Sequence, residues 1–162
     1  MNVAVITCSN RSAAGERADD SGRLLADSLT AAGHDVESQV IVADDVGAIR
    51  DAVRDAVSAG AQVVLTTGGT GIAPTDVTPE AISPMLERQV PGIAEAIRLS
   101  ARERVPTSVL SRGVSGTIGS SLVVALPGSP GGVRDAWEVL SPLLEHAVAQ
   151  LAGSDHRPGG GV

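Results

Sequence analysis

The sequence predicts an α/β fold of three layers, in which a mostly parallel central sheet is covered by helices on both faces. Apolar, β-branched runs alternate along the chain with longer stretches whose apolar residues recur at helical spacing. The 162 residues are 43% hydrophobic and 19% charged, which is typical of one packed domain. Crossovers between parallel strands are right-handed, and ligands bind at the carboxyl ends of the strands.

The strands are expected where short apolar runs are bounded by polar loops. These runs are Val3 to Thr7, Val36 to Val42, Val63 to Thr66 and Leu122 to Leu126. The third run is apolar enough for the centre of a sheet. The loops that should form a ligand crevice therefore follow the first three strands, at residues 8–19, 43–45 and 67–76.

Five helices are expected between and after these runs. The first is capped by Asp20 or Ser21 and ends at Gly33. The others extend from Val46 to Gly60, near Pro79 to Glu87, from Gly92 to Arg104, and from Val133 to Leu151. The second helix has two candidate N-caps, Asp44 and Asp45. Residues 1–152 are thus predicted to form a single domain and residues 153–162 a flexible tail.

Composition excludes several classes of function. All 12 basic side chains are arginine, so a P-loop lysine or a Schiff-base lysine is impossible. The chain has one Trp, no Phe or Tyr and a net charge of −7, so no nucleic-acid partner is expected. A single Cys and three scattered His exclude a disulfide within the chain and a zinc motif. Without a membrane-length apolar run or a leader-like N-terminus, the expected location is the cytoplasm.

The segment Thr66 to Glu80 is the most informative one. Thr67, Gly68, Gly69, Thr70 and Gly71 follow the third strand, and glycine lets main-chain N–H groups approach an anion closely. The segment therefore predicts a phosphate-binding loop, although a tight turn that needs glycine would look similar. A dinucleotide fingerprint is excluded because Pro74 stands where its third glycine should be.

Asp44 and Asp76 are candidate metal ligands beside this loop. Both follow strands of the predicted sheet, and Mg²⁺ binds one or two carboxylates together with substrate phosphates. Helix capping by Asp44 and a local turn at Asp76 are the alternatives.

Further anion-binding candidates lie in other loops. Pro127, Gly128 and Ser129 precede the last helix, whose N–H groups can face an anion, although a plain helix-entry turn is the alternative. Arg11 and Arg112 could bind phosphate bidentately, or be surface charges. Five other arginines are expected on exposed helix faces: Arg50, Arg54, Arg98, Arg102 and Arg104.

Four segments together resemble the MogA/MoaB group of molybdenum cofactor biosynthesis proteins, which includes molybdopterin adenylyltransferases. They are Val5-Ile6-Thr7-Cys8-Ser9-Asn10-Arg11, the Thr67 to Glu80 stretch, Pro106-Thr107-Ser108-Val109-Leu110-Ser111-Arg112, and Leu126-Pro127-Gly128-Ser129-Pro130. The resemblance extends from about Val3 to Leu151.

The resemblance implies a reaction in which ATP and molybdopterin give adenylyl-molybdopterin and pyrophosphate with Mg²⁺. It places the family's two catalytic, metal-binding aspartates on Asp44 or its neighbour Asp45, and on Asp76. Ser9, Ser111, Arg112 and Gly116 join the glycine loop and residues 127–129 as substrate-binding candidates. It also implies a trimer or hexamer and other cofactor-biosynthesis proteins as partners. The alternatives are a non-catalytic molybdopterin-binding protein and a general nucleotide-phosphate enzyme or sensor.

Overall fold

A computed structural model describes residues 1–153. The tail expected at 153–162 therefore lies outside the described residues, apart from Gly153. None of the described helices has the length and apolar character that crossing a bilayer requires.

The described residues form one six-stranded sheet. Its strands are β1 (Asn2–Cys8), β2 (Asp35–Val42), β3 (Val63–Thr67), β4 (Arg88–Gln89), β5 (Ser115–Ile118) and β6 (Ser121–Leu126). They lie in the order β2-β1-β3-β6-β5-β4. Strands β2, β1, β3 and β6 are parallel, whereas β5 and β4 continue the sheet as antiparallel strands. The predicted mostly parallel sheet is confirmed.

Helices connect the strands and cover both faces of the sheet. They are α1 (Asn10–Ala13), α2 (Asp20–Ala31), α3 (Val46–Ser58), α4 (Thr78–Ile82), α5 (Pro91–Ser100) and α6 (Pro130–Leu151). Two short 3-10 helices lie at Ser83–Met85 and Pro106–Leu110.

Alternate residues of each central strand supply two separate cores. Val63 and Leu65 of β3 pack into the core that α2, α5 and α6 cover. Val64 packs into the opposite core, which α3 and α4 cover. This alternation across a sheet with both faces buried produces the three predicted layers.

The structure differs from the sequence prediction mainly at the margins of the sheet. β2 is an edge strand, so Val40 and Ile41 are 38% and 42% exposed. β4 and β5 were not predicted as strands, because they are short and are defined by pairing rather than by apolar pattern. α5 ends at Ser100, four residues before the expected end at Arg104.

The structure also differs from the prediction in the loop between β1 and α2. Asp19, rather than Asp20 or Ser21, caps α2, and its carboxylate accepts a hydrogen bond from the Gly22 N–H at 2.9 Å. The short helix α1 occupies part of the loop that was expected after β1.

Main chains converge where the central strands end. Gly68 has φ +99°, and its N–H donates to the Leu126 carbonyl at 3.2 Å. A Cβ on Gly68 would collide with the carbonyl oxygen of Cys8, and a Cβ on Gly128 would lie 2.8 Å from the Gly68 Cα. Glycine is therefore required by both conformation and space at Gly68.

We expect Gly68→Ala to lower the free energy of unfolding by about 2–4 kcal/mol, because left-handed strain adds to the clash with Cys8. Urea denaturation measures this change. Gly60→Ala is the matched control, since Gly60 has a similar φ of +93° but nothing within 4 Å of an added Cβ. That control should lose only about 1 kcal/mol. Equal losses in the two variants would contradict the packing argument.

Candidate functional site

A cleft opens at the carboxyl ends of β1, β2 and β3, as the sheet topology predicts. Its volume is about 360 Å³. We call it the aspartate cleft, and it is lined by Ser9, Asn10, Arg11, Arg17, Asp19, Asp20, Asp44, Gly68, Gly69, Asp76 and Gly128, among others. Two of the three predicted crevice loops supply its candidate carboxylates.

The loop from Gly68 to Asp76, here the glycine loop, is fixed by side chains beneath it. The Thr78 hydroxyl donates to the Gly68 carbonyl at 2.9 Å, and the Thr78 N–H donates to the Gly69 carbonyl at 3.0 Å. The Thr67 hydroxyl donates to the Pro127 carbonyl at 2.7 Å. This hydrogen bond joins the end of β3 to the loop after β6, and Thr67 is fully buried there.

Asp44 lies in the cleft, and its neighbour Asp45 caps α3. The Asp45 carboxylate accepts from the Ala48 N–H at 2.8 Å. Asp44 Oδ2 accepts from the Asn10 N–H, and Asn10 Oδ1 accepts from the Asp44 N–H, both at 2.9 Å. This reciprocal pair fastens the loop after β2 to the start of α1. Asp44 Oδ1 points towards Gly69, 3.1 Å from where a Cβ would lie.

Asp76 ends the glycine loop and combines the two roles considered for it. Its Oδ2 accepts from the Ala73 N–H at 2.9 Å, and its own N–H donates to the Ala73 carbonyl at 2.9 Å. This local turn fixes the carboxylate next to Gly71, where a Cβ would lie 2.6 Å from Oδ2. Asp76 therefore forms a turn and also lines the cleft.

The carboxylate oxygens of Asp44 and Asp76 fit a hard divalent cation whose coordination is completed by a ligand. Oδ1 of Asp44 and Oδ1 of Asp76 accept no hydrogen bond from the described residues. Across the described range, no group of three or more His, Cys, Asp or Glu could hold a metal. Two carboxylates with phosphate oxygens and water match the usual coordination of Mg²⁺.

The electrostatics of the cleft favour the same cation. Four carboxylates line it, those of Asp19, Asp20, Asp44 and Asp76, against the two arginines Arg11 and Arg17. A polyanionic ligand would be repelled by this surplus of negative charge unless a cation joined it. Both arginines are exposed, so they can reach a ligand at the rim.

Other predicted site residues lie around a second cavity of about 650 Å³, here the Ser129 cavity. Its lining includes Thr70, Gly71, Ser111, Pro127, Gly128 and Ser129. Gly128 lines both cavities, so they adjoin each other at the glycine loop. Ser129 also caps α6, where its hydroxyl oxygen accepts from the Gly132 N–H at 3.0 Å.

Gly116 and Arg112 lie outside both cavities, unlike the other predicted substrate-binding residues. Gly116 is buried in β5, where it pairs with Gln89 and Val123, and it lines neither cavity. The Arg112 guanidinium donates to the carbonyls of Gly71 and Asp76, both at 2.7 Å, and pairs with Glu80. This hydrogen bonding holds the pKa of Glu80 below its ordinary value.

Two of the arginines expected on exposed helix faces are partly buried instead. Arg50 donates to the carbonyls of Glu80 and Ala81 at 3.1 Å. Arg98 donates to the Gly113 carbonyl at 3.1 Å. The prediction was wrong for both because their acceptors belong to the main chain of distant loops, which helical spacing does not reveal.

Comparison with known proteins identifies the family. The model described as "Probable molybdopterin binding domain" matches residues 4–146. Molybdenum cofactor biosynthesis protein B of Escherichia coli strain K12 is 42% identical over 146 residues, covering 88% of this chain and 85% of that protein. A solved MogA structure superposes with a TM-score of 0.88 at 47% identity, covering 93% of this chain and 99% of that one.

The chain belongs to the MogA/MoaB family. It is also similar to a molybdenum cofactor biosynthesis bifunctional protein of Synechococcus elongatus, at 41% identity over 152 residues and 94% of this chain. The chain spans 48% of that relative, which is about half of its length.

Sequence reasoning missed three residues that build this MogA/MoaB site. Asn10 positions Asp44, Thr78 supports Gly68 and Gly69, and Glu80 pairs with Arg112. Asn10 and the Asp-Val-Thr-Pro-Glu segment were both part of the resemblance. Their identity was therefore visible, but their partners were not.

Cys8 ends β1 directly beneath the glycine loop and is 2% exposed. Burial raises the pKa of its thiol from 9.0 to about 12, the negative charge of Asp44 adds to this, and a hydrogen bond with Thr78 opposes it. The residue is therefore a neutral thiol under ordinary conditions and supplies packing rather than nucleophilic chemistry.

This thiol gives a pH dependence that can be isolated. Lys and Tyr are absent, so Cys8 is the side chain expected to titrate between pH 9 and 12. In that window the unfolded chain loses the thiol proton and the folded chain keeps it. Stability should therefore fall by up to about 1.4 kcal/mol per pH unit.

Urea denaturation at pH 8, 9, 10 and 11 measures the slope. Cys8→Ala is the control, because it removes the titrating group and should flatten the dependence over this range. A slope that is the same in both proteins would show that Cys8 is not its source.

Proposed function

We propose that this chain transfers the adenylyl group of ATP to molybdopterin, with Mg²⁺, and releases pyrophosphate. The observation that carries the proposal is that Asp44 and Asp76 line one cleft and both approach the glycine loop. Family membership supports molybdopterin as a substrate, since the matching model is described as a probable molybdopterin binding domain.

The two adjoining cavities suit two substrates. A phosphate chain in the aspartate cleft would lie against the main-chain N–H groups of the glycine loop, with Ser9 close by. The larger Ser129 cavity, lined by Ser111 and residues 127–129, is the proposed place for the pterin. The reacting phosphates would then meet near Gly128, which lines both cavities.

The chemistry requires alignment more than a strong base. An oxygen of the pterin's terminal phosphate is already anionic and forms a bond to the α-phosphorus of ATP, while the bond from that phosphorus to the pyrophosphate oxygen breaks. The chain's task is to hold two polyanions in line and to reduce their repulsion. Asp44 and Asp76 would hold Mg²⁺, which supplies positive charge to the phosphate oxygens when bound. Main-chain amides and the exposed Arg11 and Arg17 add further positive potential.

Two carboxamide substitutions test the roles of the aspartates. We expect Asp44→Asn and Asp76→Asn each to lower adenylyl-molybdopterin formation by at least about 10- to 100-fold, because each removes one anionic ligand oxygen. Product and pyrophosphate are measured with purified molybdopterin, ATP and Mg²⁺.

Asp45→Asn is the matched control for this experiment. It makes the same chemical change one residue away and keeps a good N-cap for α3, so activity should stay near that of the unchanged chain. If the unchanged chain binds molybdopterin but forms no product, it is a non-catalytic binding protein. Turnover of ATP in the absence of molybdopterin would favour a general nucleotide enzyme.

We further propose a trimer or a dimer of trimers. Exposed apolar side chains gather near the end of α5 and the following 3-10 helix, namely Leu99, Val105, Val109 and Leu110. Apolar surface of this kind is typical of subunit interfaces. The proposed product contains an activated phosphoanhydride bond, so another protein of cofactor biosynthesis is its proposed consumer.

Light scattering after size exclusion should therefore give three or six times the 16.2 kDa of one chain. Leu110→Glu should shift the assembly towards monomer by placing a charge in the interface. Val40→Glu, on the edge strand β2 and also exposed, is the control and should leave the mass unchanged. A monomeric unchanged chain would contradict this proposal.

A further inference from the structure

We propose that Arg112 is a positioning residue that holds Asp76 in place through the main chain of the glycine loop, and that it does not contact the substrate phosphates. This inference rests on the proposed adenylyl transfer for its catalytic readout. It differs from the phosphate-binding role that the sequence suggested for this arginine.

The guanidinium of Arg112 points its donors at acceptors within the protein. Nε donates to the Gly71 carbonyl at 2.7 Å, and Nη2 donates to the Asp76 carbonyl at 2.7 Å. Nη1 and Nη2 also contact the two carboxylate oxygens of Glu80. A guanidinium has five N–H donors, so most of them already have acceptors within the protein.

The two main-chain acceptors of the guanidinium lie at the two ends of one loop segment. Gly71 and Asp76 flank the segment 72–75, and the main-chain N–H of Arg112 donates to the Thr70 carbonyl at 2.7 Å. One residue therefore joins both ends of this segment. Glu80 anchors the guanidinium to α4, which follows the loop directly.

Asp76 faces the cleft and Arg112 with different groups. Its carboxylate lines the aspartate cleft, while its carbonyl is held by Arg112. The local bonds to Ala73 fix the shape of the turn. Among the described contacts, the bond from Arg112 to the Asp76 carbonyl ties that turn to the loop before β5. Freeing the carbonyl would let the carboxylate move relative to Asp44.

Arginine is required by this geometry. A planar guanidinium can reach carbonyls on two sides and a carboxylate on a third, whereas a lysine ammonium is a single point charge. Lysine would preserve a simple phosphate contact in part but would lose the link between the loop ends. The two interpretations therefore predict different results for Arg112→Lys.

The experiment compares Arg112→Lys, Arg112→Met and Glu80→Gln with Arg50→Met. Arg50 is a matched control because it is also a partly buried arginine that donates to two main-chain carbonyls, those of Glu80 and Ala81, but it does not touch the glycine loop. Each variant is assayed for kcat, for KM of ATP and molybdopterin, and for the Mg²⁺ concentration that gives half-maximal rate. Amide hydrogen exchange of residues 70–77 is followed without substrates.

A positioning role predicts that Arg112→Lys and Arg112→Met both lower kcat by about 10- to 100-fold and raise the half-maximal Mg²⁺ concentration, with little change in either KM. Glu80→Gln should move the same quantities in the same direction but less. Exchange in residues 70–77 should be faster in the Arg112 variants and unchanged in Arg50→Met.

Other outcomes would overturn the inference. A rise in KM with an unchanged Mg²⁺ dependence, partly rescued by lysine, would show a direct phosphate contact. Effects equal to those of Arg50→Met would show a general structural role. If the unchanged chain forms no product, the proposed function fails, and unaltered exchange in residues 70–77 would then overturn the positioning role separately.

Discussion

The close approach of three main chains at the carboxyl end of the sheet is the constraint on which the site depends. Thr67 pairs with Thr7 on one side and Leu126 on the other, so β1, β3 and β6 end level with one another. Beyond this register, Gly68 and Gly128 leave no room for a side chain between the loops. The surface above them is therefore built from main-chain groups, which is the surface that a phosphate requires.

Several of the arginines hold loops through main-chain contacts and do not line the aspartate cleft. Arg50, Arg98 and Arg112 donate to main-chain carbonyls, and Arg104 pairs with Asp135 at 2.6 Å. Within the aspartate cleft, carboxylates outnumber arginines. Under the proposed function, main-chain amide groups, the exposed Arg11 and Arg17 and a bound cation would reduce the repulsion between phosphates. This division would let an acidic protein without lysine receive the proposed polyanionic substrates.

The parallel strands β1, β2, β3 and β6 could be predicted from the sequence because buried parallel strands form short apolar runs. It did not predict β5 and β4, which are defined by antiparallel pairing, β5 with β6 and β4 with β5. It could not separate Asp44 from Asp45, because either residue can cap a helix that begins at Val46. The deciding contact is with Asn10, 34 positions away. The contacts of Arg112 were hidden for the same reason, since main-chain carbonyls carry no signature in the sequence.

Separate sets of hydrogen bonds hold the carboxylates of Asp44 and Asp76. Asp76 is fixed by its own turn and by Arg112, both within the β3–α4 connection and the loop before β5. Asp44 is fixed by Asn10, after β1. Their separation is therefore set by the pairing of β1 with β2 and β3, through Thr7, Ile41 and Thr67. The loops therefore orient each carboxylate, and the strand register of the sheet sets the distance between the two.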